Sequence, residues 1–389
     1  KTLPSLSLAI FMSGFYNSNS NSIKMIKGNV EKDIRNGYFG GNVDVFINEI
    51  DNGFFYDMNS QYPKAMLEDM PVGNPILTTE TDLFKIFGFV YGEIISPSES
   101  ELRVAIIQYR DEDGNVTCPR GKFKRWIFSE EIKDAIINYG YSMKVEFGYQ
   151  FERGEDLFRS FIEKHYEIKK NAKEGVSRKN AKLMLNSLYG KFGMKDINSK
   201  IKIVDRKKAK QLYKNYNYSV FAELSEDKVL IKYSSRISEN IRLMFKNYDD
   251  DEIKLINSSN FSKIGLGKKR GVPSSVHIAA AIAAYSRILI NKFKNIPNNP
   301  CIMSDTDSVV LPYKLDDKYV GKEIGQMKLE CVIKHGIFIR KKLYYIESVN
   351  NKEIIKSSGV DSKRLNYKNF IELLYGKDVN TKNLHFNVK

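Results

Sequence analysis

The stretch CIMSDTDSVVLPY, residues 301–313, sets apolar, strand-like runs on either side of an acidic tip, Asp305-Thr306-Asp307. Such runs around a short polar break read as a β-hairpin with the acids in or beside its turn. Asp is common in turns, so turn chemistry alone accounts for one such tip. FFYDMNSQYP, residues 54–63, changes that reading, because it drives a second apolar run to its end and places Asp57 there. VFINEI and FFYDM flank Asp51-Asn52-Gly53, and Asn-Gly between apolar runs predicts a hairpin, so Asp57 is expected near the far end of a second β-ribbon. If the ribbons lie side by side, their acids converge. Like charges at close range raise one another's pKa, and the cluster is costly unless a dication neutralises it. A hard cation such as Mg²⁺ takes few carboxylates and fills its shell with water and phosphate oxygens, which points to phosphoryl transfer.

A third segment, SRKNAKLMLNSLYGKFG at residues 177–193, has helical spacing. Lys182, Asn186 and Tyr189 share one face, while Ala181, Leu185 and Leu188 form an adjoining apolar stripe. The stripe alone describes any amphipathic helix. The polar face suits a ligand with a phosphate at one end and a flat ring at the other, and Gly190 leaves room for close approach.

Composition agrees with a polyanionic partner. The chain has 389 residues, 62 Lys plus Arg against 47 Asp plus Glu, and a net charge of +15. This favours nucleic acid over an anionic membrane surface. The length implies a large core divided into subdomains. Cys118, Cys301 and Cys331 stand far apart, and His165, His277, His335 and His385 have no metal spacing, so neither a disulfide framework nor a zinc site is expected. No apolar run reaches the ~18 residues of a membrane span. The first residues lack Met and a signal peptide, which suggests part of a longer chain. CPRGKFKRWIF, residues 118–128, interleaves basic residues with Phe123 and Trp126; it reads either as a strand for phosphate contact and base stacking or as an ordinary surface strand. VPSS at residues 272–275 is expected to cap an Ala-rich helix.

At this point the motifs carry a resemblance. DMNSQYP resembles motif A of family B DNA polymerases (D-x-x-S-L-Y-P), KLMLNSLYG motif B (K-x-x-x-N-S-x-Y-G), and SDTDS motif C (Y-x-D-T-D-S). GYFGG at 37–41 is similar to the Y-x-G-G segment before the polymerase domain, and KLY at 342–344 to the K-x-Y motif. The long intervals between motifs are similar to those of the protein-primed branch, found in phages, adenoviruses and linear plasmids. Gln61 stands where that family usually has Leu, and Met303 where it has Tyr; altered packing rather than lost chemistry is expected.

The resemblance implies an α+β fold: a right-hand polymerase with an antiparallel palm sheet, helical fingers, a small thumb and two family-type insertions. Residues 1–30 would be a remnant or linker from an upstream domain, 31–120 the first part of the palm, and 121–155 the terminal-protein-type insertion. Residues 156–194 would be fingers, 195–270 the second insertion, 271–350 the rest of the palm, and 351–389 the start of the thumb. Asp57 and Asp307, supported by Asp305, would be catalytic and hold two Mg²⁺ ions, with Mn²⁺ as a substitute. Tyr62 would exclude a ribose 2′-hydroxyl, Lys170 and Lys182 would neutralise the triphosphate, and Asn186 and Tyr189 would line the nucleotide pocket. Ser60 and Gly190 would border DNA, Lys342 and Tyr344 the primer end, and Tyr38, Gly40 and Gly41 the template. Lys169 stands beside Lys170 and Tyr345 beside Tyr344, so each of those readings is open by one residue. The implied partners are template and primer DNA, deoxynucleoside triphosphates and a terminal priming protein, with no membrane, acting on a monomer inside a cell, from a mitochondrial or cytoplasmic linear plasmid or a virus. The family's proofreading exonuclease is not expected in this chain. Two other readings compete: a catalytically silent nucleic-acid-binding remnant, and another Mg²⁺-dependent enzyme such as a nuclease. Retention of all the acids favours an enzyme, and Tyr62 with the Lys-Asn-Tyr face favours a polymerase over a nuclease.

Overall fold

The computed structural model describes residues 3–17, 22–172, 175–194, 199–213, 216–235 and 275–380. Its helices are α1 (Leu3–Gly14), α2 (Gly28–Asn36), α3 (Gln61–Ala65), α4 (Ser129–Tyr139), α5 (Arg159–Asn171), α6 (Val176–Phe192), α7 (Arg206–Tyr213), α8 (Val276–Asn291) and α9 (Tyr367–Leu374). The chain divides into two compact units, residues 194–274 and all the rest.

The larger unit is built on a seven-stranded antiparallel sheet in the order β1-β14-β15-β2-β16-β17-β18. Its members are β1 (Val43–Val45), β2 (Glu49–Met58), β14 (Met303–Asp305), β15 (Ser308–Leu311), β16 (Met327–Arg340), β17 (Leu343–Ser348) and β18 (Glu353–Ser357). A second sheet, β3-β8-β4-β7, is made of β3 (Met70–Thr78), β4 (Gly88–Ser96), β7 (Gly121–Phe128) and β8 (Ser142–Gly154). Small two-stranded ribbons complete the unit: β5 (Tyr109–Arg110) with β6 (Val116–Thr117), and β12 (Asn295–Ile296) with β13 (Asn299–Pro300).

The DTD hairpin forms as expected: β14 and β15 are paired around it, Asp305 opposite Ser308. The hairpin expected at Asp51-Asn52-Gly53 does not form. β2 runs unbroken through it, with Asp51 and Gly53 both paired to β16 in one continuous register and Asn52 between them at φ 60°. Pairing along the whole strand outweighs a local turn preference, because each interrupted ladder bond would leave a backbone group unsatisfied.

Several expected boundaries also move. Residues 1–30 are not a plain linker: α1 buries Phe11 completely, its ring 4.9 Å from Phe158 and 6.3 Å from Phe192. The boundary at 120/121 runs through the second sheet, since β4 on one side of it pairs with β7 and β8 on the other. The boundary at 351 falls where β18 joins β17, and α9 follows, burying Phe370 beside Ile337 and Tyr345. The reading of 118–128 as a stacking surface fails at its C-terminal half, while Lys122 and Lys124 remain exposed and Phe123 partly so. Trp126 is buried and stacked on Tyr149 at 5.0 Å, and Arg125 is buried with its guanidinium 4.2 Å from the Phe39 ring centroid.

The smaller unit contains β9 (Ser199–Asp205), β10 (Tyr216–Glu223) and β11 (Lys228–Ser235) in the order β10-β11-β9, with Val204, Ala209, Val229 and Ile231 buried together. The remainder of the 195–270 insertion, including GKKRG, most of VPSS, and the tail from 381 onward lie outside the described residues.

Helix α8 is the central pillar, buried on almost every face, which its Ala-rich sequence allows. Ser275 precedes it but does not cap it with its side chain; the hydroxyl donates to the Lys24 carbonyl at 2.9 Å instead. In its first turn His277 is fully buried, stacked on Phe151 at 5.3 Å, with no partner for either ring nitrogen among the described residues. Burial pushes its pKa from 6.5 down to about 3. The unfolded chain therefore takes up a proton that the folded chain refuses as pH falls below 6.5, and stability is lost across that window. His277→Leu should shrink the stability loss between pH ~7 and ~5 by roughly 2 kcal/mol in urea unfolding. An unchanged pH dependence would contradict a neutral core histidine.

Candidate active site

β2 carries Asp57 at its penultimate position, between Ser308 on β15 and Lys328 on β16. The Met58 amide donates to the Asp307 carbonyl at 2.7 Å, which ties the two acidic segments together. Adjacent antiparallel strands hold facing residues about 4.5–5.5 Å apart, so Asp57 and Asp307 belong to one small neighbourhood. The turn of the Asp305–Asp307 hairpin is fixed by backbone bonds: Asp307 N–H donates to the Asp305 carbonyl at 2.8 Å, and Thr306 N–H to the Asn42 carbonyl at 3.0 Å. Thr306 sits at φ 64°. Gly41 packs directly on it, and a Cβ there would lie 2.5 Å from the Thr306 methyl.

The carboxylates line two hollows. One, of about 810 Å³, is bounded by Asp57, Asp307, Tyr62, Lys169, Arg178, Lys179, Lys182, Asn186 and Tyr189 among others. The other, of about 730 Å³, is bounded by Asp57, Asp305, Asp307, Lys342, Tyr344 and Lys356 among others. Asp57 is driven up to about 7 by burial first, then by the charges of Asp307 and Glu330, against the pull of Lys328 and Lys182. Asp307 is raised by burial and by Asp305. The Tyr344 phenol is raised by burial and by Asp305, Asp57 and Asp307, so it faces the same acids.

Helix α6 supplies the opposite wall. Ala181, Leu185 and Leu188 are buried, as their spacing predicts, and this aims Lys182, Asn186 and Tyr189 into the cleft. Tyr62, at the start of α3, stacks on Tyr189 with centroids 4.2 Å apart and planes 8° from parallel. Ser60 takes φ 54° and accepts a hydrogen bond from Lys169 Nζ at 2.8 Å.

Some expected positions shift. Lys169, not Lys170, enters the cleft; Lys170 is exposed and paired with Glu323 at 2.9 Å. Tyr344 lines the acidic hollow while Tyr345 turns away and donates to Glu353 at 2.7 Å. Asp305 is not an open ligand, since Lys342 Nζ bonds its Oδ1 at 2.5 Å. Gly40 and Gly190 have nothing within 4 Å of where a Cβ would stand, and Tyr38 abuts Gly193.

Residues that the motifs did not bring out complete the site. Lys328 and Glu330 alternate on β16, pair at 2.8 Å and line the cleft; their i, i+2 spacing beside Asp57 is the signal that could have revealed them. Gln61 is buried, and its amide donates to the Thr306 carbonyl at 3.1 Å and the Ser286 carbonyl at 2.9 Å. It braces the acidic tip to α8. Gln61→Leu should cost about 1–3 kcal/mol in unfolding free energy through the carbonyls left unpaired, while Gln61→Glu should not restore it. A Gln61→Leu stability equal to that of the parent would show that the brace is idle.

Among the described residues no group of three or more His, Cys, Asp and Glu side chains is arranged to hold a metal ion. Asp57, Asp305 and Asp307 still border one hollow, but Asp305 is paired with Lys342, which leaves Asp57 and Asp307, among the described residues, as the unpaired carboxylates facing the cleft. That pair still fits a hard cation that brings phosphate oxygens with it, because its carboxylates crowd each other at an open cleft and their charged forms are disfavoured.

A curled antiparallel sheet with acids at its hairpin, faced by a cationic helix, is the palm and fingers of a right-hand polymerase. The chain belongs to the family of type B DNA polymerases, organellar and viral, whose model matches residues 1–299. It is 43% identical over 390 residues to a probable DNA polymerase of Agaricus bitorquis, covering 98% of this chain and 48% of that protein. It is 34% identical to a probable DNA polymerase of Podospora anserina, covering 97% of this chain and 32% of that one. The chain thus spans about half the length, or less, of these relatives. Its fold is that of phi29 DNA polymerase, solved with primer-template DNA and incoming nucleotide: TM-score 0.68, 21% identity, 95% of this chain and 62% of that one.

Proposed function

We propose that this chain carries the polymerising centre of a DNA-directed DNA polymerase, adding deoxynucleotides to a primer by phosphoryl transfer. The observation that carries this reading is the facing of Asp57 and Asp307 against Lys182, Asn186 and Tyr189 across one cleft, with Tyr62 stacked in its floor. Lys182, Lys169, Arg178 and Lys179 neutralise the triphosphate as charge develops on it. Tyr62, held flat by Tyr189, meets the sugar where a 2′-hydroxyl would stand. The primer end lies in the second hollow, beside Lys342 and Tyr344. Its 3′-hydroxyl oxygen attacks the α-phosphorus and gives up its proton to water; the bond to the bridging oxygen breaks, and pyrophosphate leaves with the electron pair. Two Mg²⁺ ions held by Asp57 and Asp307 would sharpen that hydroxyl and offset charge on the phosphate. By likeness to the protein-primed branch, a hydroxyl of a priming protein serves as the first acceptor.

The test is incorporation of deoxynucleotides on a primed template with Mg²⁺; a well-folded chain that incorporates none contradicts the proposal. Tyr62→Val should raise the relative kcat/KM for ribonucleotides by about 10–100-fold, as removal of a single steric contact allows. Unchanged sugar discrimination would remove Tyr62 from the role of gate.

A further inference from the structure

Adjoining the cleft is a third recess, of about 420 Å³, bounded by Tyr166, Lys169, Lys170, Arg178, Lys322 and Lys328 together with Asn59 and Gly321. It shares Asn59, Lys169, Arg178 and Lys328 with the cleft, so the two communicate past the Lys169 and Arg178 side chains. We propose that this recess binds the pyrophosphate released by nucleotide addition, as an anion site that adjoins the triphosphate site, shares Lys169 and Arg178 with it, and extends it to Lys322. The proposal rests on the polymerase reading of the cleft.

The recess has a wall held in place by hydrogen bonds. Tyr166 donates to the Lys322 carbonyl at 3.0 Å, Asn59 to the Gly321 carbonyl at 2.9 Å, and the Gly325 amide to the Asn59 carbonyl at 2.8 Å. Lys170 and Lys328 have carboxylate partners, Glu323 and Glu330. Arg178 and Lys322 have none among the described residues. Lys169 is half-buried among cations, its pKa lowered by burial and then by Lys182 and Arg178. The result is a file of cations, from Lys182 through Lys169 and Arg178 to Lys322, that begins at the triphosphate and leads away from the acids.

A compact polyanion suits this shape better than a nucleic-acid strand. Single strands bind in open grooves that offer aromatic faces for stacking. Tyr166 is the one aromatic side chain bounding the recess among the described residues, and the Lys169 ammonium sits 5.4 Å from its ring centroid. Pyrophosphate keeps several negative charges and must leave before the next nucleotide enters. A cationic exit beside the cleft separates the two paths.

The experiment uses the whole chain, inorganic pyrophosphate as probe, and Lys322→Glu and Lys322→Gln, whose exposed position leaves the fold intact, verified by thermal melting. Calorimetric pyrophosphate binding should weaken about tenfold in Lys322→Glu and less in Lys322→Gln, the order expected of a charge effect. KM for the deoxynucleotide should stay within about twofold, since the triphosphate cations are untouched. Unchanged pyrophosphate affinity in both variants overturns the proposal and leaves the product in the triphosphate site alone. Loss of primer-template affinity with pyrophosphate binding unchanged also overturns it, and makes the recess a strand groove. Failure of the parent chain to incorporate nucleotides would overturn the polymerase reading, and it is distinguished from failure of the recess because calorimetry reads pyrophosphate without turnover.

Discussion

Asp57→Asn should lower nucleotide incorporation at least about a thousandfold while leaving the chain folded, the scale on which charge-stabilising groups act at phosphoryl-transfer centres. Asparagine keeps the shape and the neighbouring strands but removes the charge that a cation requires. The same substitution should make the protein more stable when divalent ions are withheld. Burial, followed by Asp307 and Glu330, lifts the Asp57 carboxyl to about 7, above its ordinary 3.8. The folded chain therefore holds that proton more tightly than the unfolded one, and stability falls as pH rises from 3.8 toward 7. Asp57→Asn escapes this penalty, gaining about 1–2 kcal/mol above neutral pH once solvent screening of a partly exposed carboxylate is allowed for. Urea unfolding in chelator and single-nucleotide incorporation read the two effects on one preparation. A variant that keeps its activity, or that becomes less stable, would contradict the role given to Asp57.

Glu131→Gln should produce the largest loss of stability, about 3–5 kcal/mol, because it strands a buried guanidinium. Arg287 on α8 and Glu131 on α4 have side chains 1% exposed, joined by bonds of 2.5 and 2.6 Å. Arg287 also donates to the carbonyls of Phe39 at 2.6 Å and Gly40 at 3.0 Å, next to the Gly41 that seats the acidic hairpin. Breaking the pair thus loosens the segment against which Thr306 packs. Removing both charges, as Glu131→Leu with Arg287→Met, should recover much of the loss, since apolar pairs of similar volume replace buried ion pairs at little cost. A fall below about 1 kcal/mol for Glu131→Gln would mean that the ion pair is not buried as described.

The acids and the helix facing them were legible because their signals are local: alternation around DTD, and a 3.6-residue period from Ala181 to Tyr189. What was not legible depends on partners far along the chain. Asp51-Asn52-Gly53 has every local mark of a turn, yet β16, some 280 residues away, pairs on both sides of Asn52 and keeps the strand extended. In CPRGKFKRWIF composition cannot tell which cation is inside; Phe39 and Tyr149 decide it by covering Arg125 and Trp126. Lys169 and Lys170 differ by one step of helix phase, about 100° on the helix surface, and the identity of the one that enters the cleft is set by how α5 packs on α6. Gln61 reads as a departure from a motif, whereas in the fold it is a brace between α8 and the acidic tip.

The central claim is that Asp57 and Asp307 jointly hold divalent ions against a bound nucleotide, and Mn²⁺ titration followed by electron paramagnetic resonance, with a deoxynucleoside triphosphate present, tests it most directly. The parent chain should bind about two Mn²⁺ per nucleotide-bound cleft, and the Asp57→Asn, Asp307→Asn double variant should lose that binding without unfolding. Parent-like stoichiometry and affinity in the double variant would contradict it.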